Sequence, residues 1–247
     1  LQLPALVSIL QILFAKKRMR CVYNMQEQIS NKAKRFSTAT ITIVIICVVT
    51  YLAQLVSAAA PVKTMLLHPD ANYLLIDDVL TFLLSIHGIG ISCGFFWTPI
   101  TYMFLHGSWS HLLFNMVGLL TIGTAIERQY GLRCFLIIYF LGGILGGLGW
   151  VLFSGLTSTT PCVGASAGVL ALVGAFVVRN PKLKLIVFIP LPIPMPAWVL
   201  AIFIFVTNAI EIFVKQTNIA ASAHLIGIVF GAILGLYLLR SNQGERQ

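Results

Sequence analysis

Hydrophobic side chains run along this chain in long blocks rather than in alternating or one-faced patterns. Apolar runs bounded by charges or turn residues occur at 41–60, about 108–126, 134–156, 166–178, 197–214 and 222–239. A helix of roughly 20 apolar residues matches the hydrocarbon core of a bilayer, so the pattern predicts an all-α membrane protein with six transmembrane helices. The fourth run departs from the others. Ser166 to Val178 is 13 residues, roughly 20 Å of helix against a core of about 30 Å. If Arg179 and Lys182 pin its inner end, its outer end stops below the membrane surface. The irregular backbone of Gly164-Ala165 is tolerated there only around protein or a water-filled cavity.

Two other stretches need a different reading. Tyr73 to Trp97 is apolar, but it carries the adjacent Asp77 and Asp78, which are costly at bilayer depth. It is read as a membrane-associated outer loop between the first two spans, with an amphipathic segment in the interface. Ile189 to Pro196 has prolines at 190, 192, 194 and 196, cannot hold a regular helix, and leads into the fifth span.

Composition agrees with lipid as the solvent: 58% of residues are hydrophobic, 9% are charged, and the mean hydropathy is +0.94. In a soluble chain the net charge of +9 would point to nucleic acid; here the positions of the cations matter more. Of sixteen Lys and Arg, seven precede the first run, and 128, 133, 179, 182, 184, 240 and 246 follow the second, fourth and sixth. Only Lys63 and Lys215 lie opposite, which places both termini in the cytoplasm. The expected organisation is an N-terminal cytoplasmic segment at 1–40, a six-helix domain at 41–240 and a short tail at 241–247. Residues 1–15 are apolar but are followed by Lys16, Lys17, Arg18 and Arg20, the reverse of a signal peptide's order, and read as an interfacial helix. The first residue is Leu1, as in a fragment or a processed end. Five cysteines, at 21, 47, 93, 134 and 162, show no metal or redox spacing.

The polar residues within the spans cluster at one depth. His106, His111 and Asn115 lie at the start of the second run, Ser166 at the start of the fourth and His224 at the start of the sixth. All three helices run from outside to inside in the charge-derived topology. A serine hydroxyl needs a base to become a nucleophile, and His224 is the candidate. Backbone N–H groups at the helix start, with His111 and Asn115 four apart on one face, can donate to an oxyanion. Close approach of the fourth and sixth helices needs small residues, and Gly227, Gly231 and Gly235, with Gly168 and Gly174 on the serine helix, supply them. The third run adds Gly142, Gly143, Gly146, Gly147 and Gly149. Glu211 and Lys215 are read as a helix ion pair, and His68 and His87 as solvated loop side chains.

At these residues the chain resembles the rhomboid intramembrane proteases. HGSWSHLLFN matches the family's second-span pattern, GAS at 164–166 its serine motif and AHLIG at 223–227 its last-span histidine motif. The resemblance implies a Ser166–His224 dyad. It places the oxyanion hole at His111, Asn115 and the Ser166 N–H, with His106 and Gly164 supporting the site and Gly168, Gly227 and Gly231 packing the helices. It further implies cleavage, without cofactor or metal, of single-span membrane proteins; the cation pattern suits a bacterial inner membrane, with an organellar membrane as the alternative, and puts the site open to the outer side. Four positions depart from the pattern: Ala167 for a glycine, Leu170 for an aromatic, Thr98 for an arginine after Trp97, and Gln129 for an arginine after Glu127. The competing readings are a zinc hydrolase built on His106, His111 and His224, and a non-catalytic binder of transmembrane helices or a transporter.

Overall fold

Each apolar run is a helix in the computed structural model, which describes residues 37–59, 64–66, 74–76, 78–189, 191–215 and 220–244, less the side chains of 64–66, 74–76, 186–189, 191–193, 213–215 and 238–244. The expected interfacial helix at 1–15, the N-terminal cations, Lys63, His68, Asp77 and Pro190 lie outside the described residues, as does the side chain of Lys215.

Helix α1 is Thr38–Ala59, followed by short strands β1 (Thr64–Leu66) and β2 (Leu74–Ile76), which pair antiparallel. Three short helices come next: α2 (Val79–Leu84), α3 (Gly88–Ser92) and α4 (Thr98–Thr101). Helix α5 is Trp109–Tyr130, α6 Leu132–Ser154 and α7 Ser166–Arg179. Strands β3 (Lys184–Ile189) and β4 (Leu191–Pro196) form a hairpin ahead of α8 (Ala197–Lys215), and α9 is Ala220–Gly244.

The protein is an integral membrane protein, and among the described residues four helices, α1, α5, α6 and α9, are long and apolar enough to cross a bilayer. The remaining apolar helices, α7 and the stretch Ala197–Ile212 of α8, are shorter. The outward faces of α1, α5, α6 and α8 carry Val56, Phe114, Leu152 and Phe205 exposed, as lipid-facing surfaces do. The apolar stretch before α5 is broken into pieces of at most six residues, far too short to span. Asp78 caps α2 by accepting from Thr81 N–H (3.1 Å) and takes a hydrogen bond from Ser57 of α1 (2.9 Å).

His87 is not solvated. It is fully buried, its Nδ1 accepts from Gly90 N–H (2.9 Å) at the start of α3, and its ring packs on Phe82 at 4.6 Å. The three-residue spacing from a cap to its N–H donor explains the placement, since an imidazole nitrogen can serve where Asp or Ser more often does.

Prolines at alternate positions make β4 an edge strand. The register sets Pro192, Pro194 and Pro196 opposite Phe188, Ile186 and Lys184. In an antiparallel pair only every second residue donates across, so prolines spaced by two remove none of those bonds.

The centre of the bundle is built on small residues. Gly227, Gly231 and Gly235 of α9 meet Ala167, Ala171 and Ala175 of α7 so closely that an added Cβ would overlap their backbone. Gly168 faces α6 instead, with Tyr139 2.8 Å from where a Cβ would sit, while Gly174 meets Ile228 of α9. At the other end of α5, Glu127 accepts from Ala39 N–H (3.2 Å), Thr40 N–H (2.9 Å) and Thr40 Oγ1 (2.7 Å), capping the start of α1. Between its ends α5 opens into one wider π turn at Leu119–Gly123.

Candidate active site

Ser166 is the first residue of α7, where the N–H groups of the first turn have no partner within the helix. Residue 164 makes this start possible. Gly164 has φ +131°, a conformation open to glycine, and its N–H donates to the Tyr102 carbonyl (2.9 Å). It also lies against His111: a Cβ there would be 2.7 Å from Cε1 and 2.8 Å from Nε2 of that ring, and 3.5 Å from Ser166 Oγ. The glycine thus leaves the room in which the His111 imidazole lies beside the serine hydroxyl.

His224, in the first turns of α9, brings Nε2 to 2.7 Å from Ser166 Oγ. Both residues are partly exposed. The glycine–alanine contact of α7 with α9 permits this distance, because larger residues at Gly227 or Gly231 would hold the helices apart. The second ring nitrogen, Nδ1, lies 2.8 Å from Oδ1 of Asn208 on α8.

His111 sits one turn into α5, whose start is capped by Ser108 Oγ accepting from His111 N–H (3.1 Å). Its Nδ1 accepts a long bond from Gly107 N–H (3.4 Å). An acceptor at Nδ1 leaves the ring proton on Nε2, the nitrogen beside Gly164, where it can be donated. Asn115 is buried one turn further on; one of its amide protons goes to the His111 carbonyl (2.9 Å), leaving the second to donate. His106 precedes the helix, as its spacing implies, and is almost fully buried edge-on to His111, with 5.2 Å between ring centroids. Neither of its ring nitrogens has a partner among the described residues. Its backbone N–H donates to Gln54 Oε1 (2.9 Å), whose amide in turn reaches Thr81 Oγ1 (2.8 Å), tying the approach to α5 to both α1 and α2.

The four departures from the rhomboid pattern each find a local fit. The Ala167 methyl fills the notch at Gly146 of α6, where an added Cβ would come within 2.6 Å of it. Leu170 is half-buried against the core. Thr98 is buried and donates to the Phe95 carbonyl (2.8 Å). Gln129 accepts from Asn180 Nδ2 (3.4 Å) past the end of α7, where Arg179 lies over the Tyr130 ring at 4.6 Å.

Among the described residues no three His, Cys, Asp or Glu side chains converge as a metal site would need. His224 in particular directs its ring nitrogens to Ser166 and Asn208. Asn208 is the one member of the cluster that its sequence does not announce. The available signal is an amide inside an apolar run, 16 residues before His224, at the outer end that the charge pattern assigns to the fifth span.

The chain is similar in sequence to known proteins. The chain matches RHOMBOID-like protein 9, chloroplastic, of Arabidopsis thaliana at 36% identity over 130 residues, 53% of this chain and 27% of that protein. It matches Rhomboid protease GluP of Bacillus subtilis at 39% over 85 residues, 34% of this chain and 16% of that protein. It also matches Inactive RHOMBOID-like protein 8 of Arabidopsis thaliana at 34% over 86 residues, 35% of this chain and 24% of that protein. The match thus spans well under half the length of these relatives. The family model for the Rhomboid domain covers residues 94–241, from ahead of α4 to near the end of α9, and with more than half its length inside that match the chain belongs to the rhomboid family.

Proposed function

We propose that this protein is an intramembrane serine endopeptidase that cuts other membrane proteins in or near their transmembrane segments. The observation that carries the proposal is the 2.7 Å contact between Ser166 Oγ and His224 Nε2 at the start of a 14-residue helix. In this reading Nε2 takes the Ser166 proton as Oγ bonds to the scissile carbonyl carbon. The resulting oxyanion is held by the Ser166 N–H and by donors from His111 and Asn115. The C–N bond then breaks, the proton on Nε2 passes to the leaving amine, and an acyl-serine remains. A water enters from the outer side and gives a proton to Nε2 as its oxygen bonds to the acyl carbon; the bond from that carbon to Oγ then breaks, Nε2 returns the proton to Oγ, and the carboxylic acid product leaves with Ser166 regenerated.

Residues 41–240 form the catalytic unit in this proposal, with six spans, both termini in the cytoplasm and α7 beginning, at Ser166, below the outer surface. The membrane is read as a bacterial inner membrane. The stretch from α2 to α4 lies in the outer interface. Substrates are single-span proteins that reach Ser166 from the lipid between α5 and α8. A helical amide is hydrogen-bonded and shielded, so Gly and small residues near the cut favour the local unwinding that cleavage needs.

The test is cleavage of a single-span reporter by purified protein in detergent, with Ser166→Ala and His224→Ala variants, with and without chelator. Both variants are expected to lose at least about 10³-fold in kcat, as removal of a nucleophile or its base does, with no effect of chelator. Chelator-sensitive cleavage would move the chemistry to a metal. A relative named as inactive favours one second reading, a non-catalytic binder of transmembrane helices. Absence of cleavage by the wild-type protein, with retained capture of the reporter, would establish it.

A further inference from the structure

A neutral imidazole can act as a base toward Ser166 in only one of its two tautomers, the one with the proton on Nδ1 and the lone pair on Nε2. In this protein that choice is tied to a residue on a different helix. Asn208 Nδ2 donates to the Ile204 carbonyl one turn earlier on α8 (2.8 Å). With its amino group committed there, the end of the amide that faces His224 is Oδ1, 2.8 Å from Nδ1. A carbonyl oxygen only accepts, so the proton on that edge of the ring belongs to Nδ1. Nε2 is then bare, 2.7 Å from Ser166 Oγ. The opposite tautomer would set two lone pairs against each other at Asn208 and present an N–H to the serine.

We propose that Asn208 is a positioning residue of the site, fixing the tautomer and ring plane of His224 so that the pair acts as a Ser–His–Asn relay built from α7, α9 and α8. This inference rests on the hydrolytic reading of Ser166 and His224 given above. Three features carry it together: the i−4 bond that orients the amide, the acceptor distance, and the origin of Asn208 on a third helix. An asparagine whose amide serves only its own helix would need the first alone. Because the acceptor is neutral, it selects the tautomer and stabilises the imidazolium through a dipole rather than a full charge. The competence of His224 thereby depends on α8 being seated against α9, so a displacement of α8 that withdraws Asn208 would release the ring.

The experiment compares wild type, Asn208→Leu and Asn208→Asp in detergent. The readouts are thermal unfolding, reporter kinetics and the rate at which a fluorophosphonate labels Ser166. The small probe needs the activated serine but no docked helix. Leu keeps the size and removes the acceptor; Asp keeps an acceptor oxygen. Asn208→Leu is expected to unfold near the wild-type temperature while kcat and the labelling rate fall about 10- to 100-fold, the range for partners that orient a functional histidine, with KM within about twofold. Asn208→Asp is expected to recover most of the labelling. Labelling of Asn208→Leu at the wild-type rate, or a loss confined to KM, overturns the inference and leaves the protease reading intact. Should the leucine variant fail to fold, nitrogen-15 spectra of histidine-labelled wild type decide, with the His224 resonance assigned by His224→Ala. A proton on Nδ1 is expected, and a proton on Nε2 overturns the inference. A wild-type protein that the probe never labels overturns both proposals together.

Discussion

Gly164 meets two demands at once, and they separate cleanly by experiment. Its φ of +131° disfavours any side chain, and the space where a Cβ would go is taken by the His111 ring. Gly164→Ala is therefore expected to cost about 1–3 kcal/mol of stability through backbone strain. It should also displace His111 from the pocket, lowering kcat by more than the stability loss alone explains. Reporter kinetics at a temperature where the variant remains folded check this. His87 makes a different prediction. Burial holds its pKa below the ordinary 6.5, only partly offset by the bond to the Phe82 carbonyl. The folded protein thus keeps the ring neutral while the unfolded chain protonates it. Stability from this residue is fully present above pH 6.5 and is lost progressively as pH falls below that value toward the lowered pKa of the folded state. The unfolding temperature should drop between pH 7 and pH 5, and Asn at position 87, which caps without titrating, should reduce the slope.

The helices themselves were legible for a physical reason: in lipid each backbone polar group must be satisfied within its own segment, so long apolar runs can only be helical. Their packing was legible in part. Gly227, Gly231 and Gly235 announce a close contact by their spacing of four, but nothing in the sequence states that Ala167, Ala171 and Ala175 form its other half, since alanine is common in any helix. The prolines of β4 exclude a helix without revealing the hairpin, because a period of two over six residues is weak evidence of pairing. His87 and Asn208 escaped for different reasons: His87 bonds locally, to Gly90 N–H and the Phe82 carbonyl, but an imidazole is an uncommon cap, whereas Asn208 reaches His224 across the bundle, and such a bond leaves no periodic trace. The glycine contact is directly testable. A Cβ on Gly231 would overlap the Ala171 carbonyl, so Gly231→Val is expected to lose about 1–3 kcal/mol, the usual cost of overpacking. Thermal unfolding in detergent reads the loss, and a midpoint equal to wild type would contradict the tight contact.

For the whole molecule the central proposal is orientation. Cys93, exposed after α3, and Cys134, near the start of α6, are both free thiols, and the charge pattern assigns them to opposite sides. In intact cells a membrane-impermeant maleimide is expected to label a variant retaining Cys93 alone and to spare one retaining Cys134 alone until the membrane is opened. The reverse result would invert the topology and put the pocket of Ser166 on the cytoplasmic side. Helix α5, long and apolar enough to cross a bilayer, carries His111 and Asn115 near its first end and Glu127 near its last. The π turn at Leu119–Gly123 lies between them and amounts to one residue more than a regular helix would use. Each residue of an α-helix advances the azimuth by about 100°, so that single residue sets the phase between the two halves. A chain lacking it could aim His111 at Ser166 or Glu127 at the start of α1, but not both, which makes the length of α5, and not only its composition, a heritable constraint on the site.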